Sequence, residues 1–306
     1  MAAERQHEWD LYHATWFTLM GIGGGIFLLA RLLGIERDCG VWLGMPVVDL
    51  VSFVVIGVGG LVLIRSLGRP LRMLRAVLKP GTSWISRGAI ADFVFVAVGG
   101  LLVLPGLTIF RVSPFAWLPW DPWATTPTGK LLELLGLLSA AVVIVYAGLV
   151  LADKSAITFW NSWAIPAQFV ASALAMSMAT VMVMETLNGV AIGMVECLLL
   201  AKFLALLFLT IVWHLATDRA KPGKAEALER LSAAYSYPFF GGVVGAGTIL
   251  PMLLAIAAAI APRDRAVIGI VCFVATLAGG FFLRLFTLRV GYFPPISGAL
   301  RLSKRR

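Results

Sequence analysis

Apolar stretches of about 20 residues recur from one end of this sequence to the other, separated by short polar segments. That spacing limits the fold more than any motif does. A stretch of this length crosses the hydrocarbon layer as a helix, and a backbone held there must satisfy its own hydrogen bonds. Eight stretches qualify: residues 14–33, 46–65, 89–110, 131–152, 165–184, 190–214, 239–261 and 266–288. Only 13% of the residues are charged and 60% are hydrophobic, whereas a soluble domain carries about 25% charged residues. No water-soluble core absorbs that much apolar surface, so the fold class is all-α integral membrane with eight transmembrane helices. The first stretch follows Glu4, Arg5, Glu8 and Asp10, has no small-residue cleavage site, and is long enough to remain as a helix. The amino terminus is therefore read as mature.

Lys and Arg counted loop by loop give the orientation, because insertion retains them in the cytosol. The face holding the termini and the loops after spans two, four and six carries 17 of the basic residues, and the opposite face carries 6. Lys202 and Arg284 lie inside spans. Both termini are thus expected in the cytoplasm, in the cell's inner membrane. A net charge of +9 belongs to this asymmetry, so nucleic acid is discarded as a partner and the lipid bilayer retained. Cys39, Cys197 and Cys272 are far apart, with no CxxC spacing, and read as small hydrophobes rather than as ligands of zinc or an iron–sulfur centre. The histidines are His7, His13 and His214, too few for a convincing pair of haem ligands. No haem or metal is expected in this chain.

Ionisable groups inside hydrocarbon are costly and should face a partner, water or a ligand. Those at span depth include Asp49, Asp92, Glu133, Glu185, Glu196, Lys202, His214 and Arg284. Glu196, Lys202 and Arg284 are the deepest; they either pair between helices or line a proton or ion path. Asp10 and His13 stand three residues apart at the start of span one, on one helical face. Either they are an interfacial polar pair, or the histidine exchanges protons with a redox ligand while the carboxylate orients it. The glycines of the spans, Gly21, Gly23, Gly24 and Gly25 among them, let helix backbones approach closely and form no nucleotide motif. The loop VSPFAWLPWDPWATTPTG, with Trp117, Trp120 and Trp123 among its prolines, is either an interfacial cover or a docking surface.

Three segments together resemble the NrfD family, the membrane subunits that include the quinone subunit of polysulfide reductase. They are EWDLYHATWFTLMGIGGGIFLLARLL at the start, LGRPLRMLRAVLKPGTSWISRGAI before span three, and VYAGLVLADKSAITFWNSWAIP between spans four and five. Weaker similarities are VECLLL, ILPMLL and the arginine in FFLRLF. The resemblance implies two four-helix bundles, residues 1–155 with a quinone site and residues 156–306 with a basic carboxy-terminal tail. It also implies a subunit that exchanges electrons between membrane quinone (menaquinone or ubiquinone) and a docked iron–sulfur subunit, which serves a catalytic subunit, often a molybdopterin enzyme. By position, Tyr146 matches the tyrosine that hydrogen-bonds the quinone, and Asp10 and His13 occupy the stretch of the family's polar pair.

The expected quinone-binding set is thus Asp10, His13, Tyr146, Trp84 and Arg87. Arg87 is read as placing a partner's carboxylate, as pairing with Asp92, or as obeying the basic-loop rule alone. Asp92, Glu196, Lys202 and Arg284 form the expected proton path, and Trp9, Arg72, Trp160, Asn161 and Trp163 the expected docking surface. Many members of that family place this motif-bearing face in the periplasm; the basic residues here place it, with its iron–sulfur and catalytic partners, in the cytoplasm. The rival readings are a membrane anchor without quinone chemistry and a secondary transporter, although no pair of broken helices stands in corresponding halves. A cysteine introduced in the 217–236 loop should escape a membrane-impermeant thiol reagent on intact cells, and labelling there overturns the orientation.

Overall fold

A computed structural model describes residues 4–66, 79–153, 156–261 and 264–293. Within them eight helical spans are long and apolar enough to cross a membrane. The first six are α1 (Leu11–Leu33), α2 (Val47–Ser66), α3 (Trp84–Val103), α4 (Pro127–Ala152), α5 (Ala164–Leu187) and α6 (Met194–Ala216). A short amphipathic helix, α7 (Lys224–Ala233), follows. Span seven is a π-helical run, Tyr237–Ile249, continued by α8 (Leu250–Ile260), and α9 (Arg265–Arg289) is the last span.

Local chemistry moves several boundaries from those expected. Asp10 caps α1, its carboxylate accepting from the amides of Tyr12 and His13, so the helix begins at Leu11 and not at 14. Ser83 caps α3, which starts at Trp84 and not at 89. The same helix stops at Val103 because Pro105, in the 3₁₀ turn Leu104–Gly106, offers no amide to continue it. The larger departure is the wide first half of span seven. There the amide of Leu250 donates to the carbonyl of Gly245, and the Thr248 hydroxyl to that of Val243 at 2.8 Å. Pro251 has no amide to bond Gly247, and the widened coil brings Gly247 backbone to backbone with Gly279 of α9.

Helix α1 packs against α2, α4, α5 and α9, while α3 lies along α4 and only loosely against α2. Helices α5, α6, span seven and α9 form a second ring, joined to the first through α1 and α4 against α5. The glycines of α1 make its central place possible. A Cβ at Gly23 would strike Ile56 of α2 at 2.6 Å, one at Gly24 would meet the Ala140 carbonyl of α4 at 3.2 Å, and one at Gly25 would collide with Ser177 of α5. Close backbone approach replaces the hydrophobic drive that lipid cannot supply. Two chain segments near the ends meet on one face, where strand β1 (Glu4–Arg5) pairs antiparallel with β2 (Tyr292–Phe293).

At the other face Arg31, fully buried, pairs with buried Asp49 of α2 and with Glu133 of α4 at 3.4 Å, and donates to the Pro122 carbonyl at 2.9 Å. Glu36, in the loop after α1, stands 3.7 Å from the same guanidinium. Burial pushes the Glu36 carboxyl up from its ordinary range while Arg31 pulls it down. One cation therefore ties α1, α2, α4 and the Trp- and Pro-rich loop together. Arg31→Met should cost about 3–5 kcal/mol in thermal unfolding in detergent, because Asp49 is left buried and uncompensated. Adding Asp49→Leu should restore most of the loss.

Candidate functional site

A cavity with apolar walls and a buried, unpartnered carboxylate oxygen lies among the first four helices, toward the face that holds the termini. It follows from a close contact. Gly88 of α3 sits where any Cβ would collide with the Tyr146 ring of α4. One turn deeper on α3, Asp92 takes the phenol: the Tyr146 hydroxyl donates to Asp92 Oδ2 at 3.1 Å. Tyr146 is 1% exposed, and its ring stands 6.0 Å from that of Trp16 on α1. Trp16, Met20, Ile56, Gly57, Gly60, Leu61, Ile85, Ala89, Asp92, Phe93, Val96 and Tyr146 are among the residues enclosing a cavity of about 260 Å³.

Asp92 Oδ1 is buried without a hydrogen-bond partner among the described residues, whereas the Trp16 indole N–H is turned to the Tyr146 hydroxyl at a looser geometry than a full hydrogen bond. A buried acceptor left free is costly. The mouth opens between α2 and α3, where Leu61 is 67% and Phe93 is 55% exposed. Gly57 and Gly60 face open space there, with nothing within 4 Å of an added Cβ. Further along α1, α2 and α3, Phe95 packs 5.0 Å from Phe27 and 5.5 Å from Phe53 between ring centroids. Two larger grooves, about 550 and 590 Å³, open on other flanks and hold no comparable free buried acceptor among the described residues.

The structure separates the residues expected at one site. Asp92, expected in a proton path, joins Tyr146 in the cavity. Asp10 and His13 do not line it; His13 Nδ1 lies 3.0 Å from Asp10 Oδ1 in a capping interaction at the surface, one turn before Trp16. Trp84 and Arg87 also stay outside. The Arg87 guanidinium donates to the carbonyls of Pro80 at 2.7 Å and Gly81 at 3.1 Å and stacks over Trp84 at 4.4 Å. Arg87 therefore does not pair with Asp92, as one reading of the sequence had it; the loop carbonyls take its donors.

Glu196, Lys202 and Arg284 do not come together. Glu196 lies in the first turn of α6, at the opposite face, with Oε2 buried and unpartnered among the described residues. Lys202 is exposed on the outside of α6. Arg284 is buried near the other end of the membrane, five residues before the end of α9 at Arg289. Of the expected docking residues, Asn161 and Trp163 are exposed and Trp9 is half-buried. Trp160 is a correction: it is 3% exposed, its indole donating to the Thr287 carbonyl at 2.7 Å, so it ties α9 down and presents no surface. Arg72 lies outside the described residues. The cavity residues that the sequence did not single out are Trp16, Met20, Gly57 and Gly60; the signal for Trp16 was its place one turn below His13.

Eight helices long and apolar enough to cross a membrane define a multi-pass membrane protein, with a buried tyrosine–aspartate pair beside a cavity among the first four. A family model described as polysulphide reductase, NrfD, matches residues 2–295, and the chain belongs to that family. It is thus a membrane subunit of a polysulphide-reductase-type oxidoreductase complex. Comparison with curated proteins gives no match.

The Gly88–Tyr146 contact is testable by packing alone. Gly88→Ala should push the Tyr146 ring aside and cost about 1–3 kcal/mol, read as a lower melting temperature. Gly57→Ala, which adds its methyl to open space, should stay near the parent.

Proposed function

We propose that the cavity is the place where membrane quinone exchanges electrons with an iron–sulfur subunit docked on the face that holds the chain termini. The observation that carries this reading is a free buried acceptor, Asp92 Oδ1, held beside Tyr146 in an apolar cavity between exposed helix flanks. The residues fit the group. A quinone headgroup is a flat ring with an oxygen at each end, and when bound it supplies a two-electron, two-proton couple.

The roles of the side chains follow from their atoms. The Trp16 indole walls the α1 side of the headgroup's place and turns its N–H to the Tyr146 hydroxyl. Asp92 Oδ1 takes or returns a proton at a ring oxygen, and the Tyr146 hydroxyl, bonded to Oδ2, fixes the carboxylate and stabilises its charge. Asp10 and His13, exposed one turn above Trp16, pass that proton to the aqueous face. Electrons pass to or from the partner's cluster. Asn161, Trp163 and Trp9 border the docking surface, and Arg87 holds the neighbouring loop in shape through Pro80 and Gly81. The excess of basic residues on this face supports a cytoplasmic iron–sulfur subunit and a cytoplasmic catalytic subunit of molybdopterin type, in the inner membrane.

Asp92→Asn should cut quinone-linked turnover of the whole complex about 10²–10⁴-fold, the usual worth of a positioned acid or base. Tyr146→Phe should cut it less, and Gly60→Leu, which fills the mouth, should raise the KM for quinone. All three should keep activity with an artificial dye that bypasses the quinone. Unchanged quinone kinetics in all three would leave a bare membrane anchor as the better reading.

A further inference from the structure

Arg284 is 1% exposed inside a membrane span, and every acceptor it meets is neutral: Ser172 Oγ at 3.0 Å, the Gly280 carbonyl at 2.9 Å and the Phe169 carbonyl at 3.1 Å. Its Nε has no partner, and no carboxylate pairs with it among the described residues. An unpaired guanidinium at this depth is among the costliest groups a membrane protein can hold, which calls for a use beyond packing. Arg31 shows the contrast, with three carboxylates around one cation.

The use is suggested by what lies between Arg284 and the cavity. The guanidinium stacks over Phe169 of α5 at 4.9 Å. Phe169 stands 5.8 Å from Phe17, and Phe17 stacks on Trp16 at 4.6 Å. Trp16 is 6.0 Å from Tyr146, which bonds Asp92. Aromatic side chains thus fill the space from the cation to the carboxylate. Depths match as well. Tyr146 lies six residues before the end of α4 at Ala152 and Arg284 five before the end of α9 at Arg289, roughly 9 and 7.5 Å inside by helical rise. Helix α1 stands between them, Gly21 toward Arg284 and Trp16 and Met20 toward the cavity.

We propose that Arg284 is the fixed countercharge of the cavity in the other ring of helices, a positioning residue that stabilises the negative charge of the Asp92 carboxylate and of the bound headgroup through a dry aromatic wall. The inference rests on the quinone reading above. Facing Asp92 are Tyr146 from α4 and Trp16 from α1, with apolar side chains from α2. Facing Arg284 are Ser172 and Phe169 from α5 and Gly21 from α1. His214 of α6, 2% exposed, lies beside Leu283, Phe286 and Thr287 of α9. No other charged side chain intervenes among the described residues lining the cavity.

The test is the titration of the Asp92 carboxyl in the assembled complex, read as the pH dependence of its infrared carboxyl band with no quinone added and as a limb in the pH profile of quinone-linked turnover, with dye-linked turnover as control. Asp92→Asn should abolish the limb that the carboxylate generates. Arg284→Gln should move that limb to higher pH, because removing a nearby cation makes the carboxylate easier to protonate. Arg284→Lys should leave it in place. Ser172→Asp provides the control if Arg284→Gln does not accumulate, since it neutralises the cation where it stands and should give the same upward shift. A limb lost in Asp92→Asn but unmoved in Arg284→Gln and Ser172→Asp would overturn the countercharge and leave Arg284 structural. Quinone turnover intact in Asp92→Asn would instead overturn the site itself.

Discussion

Close approach of α1 to its neighbours is the constraint on which the rest of the structure depends. In lipid, helices gain nothing by hiding apolar side chains from one another, so their contact rests on van der Waals fit. The run Gly21-Ile22-Gly23-Gly24-Gly25 presents bare backbone in several directions, toward α2, α4 and α5. That single helix therefore belongs to both rings. Its remaining faces hold the large residues that build the site, Trp16 and Met20 on the cavity side and Phe17 on the side of α5.

Charge is arranged around this helix with opposite logic at its two ends. Near the face away from the termini, Arg31 is saturated by carboxylates and acts as a clamp. Toward the other face Asp92 has only a phenol beside it, and Arg284 only neutral acceptors. Aromatic rings, Phe169, Phe17 and Trp16, stand between the two groups.

The sequence carried the architecture because its signal is periodic and repeated: eight apolar runs are legible without any partner. It carried Tyr146 through the resemblance to NrfD and Asp92 as an ionisable residue at span depth. What it did not carry is which side of a helix each residue faces. Trp160 sits in a loop with the composition of a surface, yet its ring is buried because its indole finds the Thr287 carbonyl. Lys202 reads as deep but turns outward. Gly57 and Gly60 are indistinguishable in the sequence from packing glycines, and only the structure shows that no helix approaches them. The widened coil of span seven was signalled by Pro238 and Pro251 around four glycines, a pattern that a count of apolar residues ignores.

The central claim is that the quinone headgroup sits among the first four helices, in contact with α2 and α3. Photolabelling of the assembled complex with a quinone bearing a photoreactive group on its ring, followed by peptide mapping, tests it directly. The account predicts saturable labelling in Val47–Ser66 and Trp84–Val103, competed by unmodified quinone. Saturable labelling confined to α5, α6, span seven or α9 would contradict it.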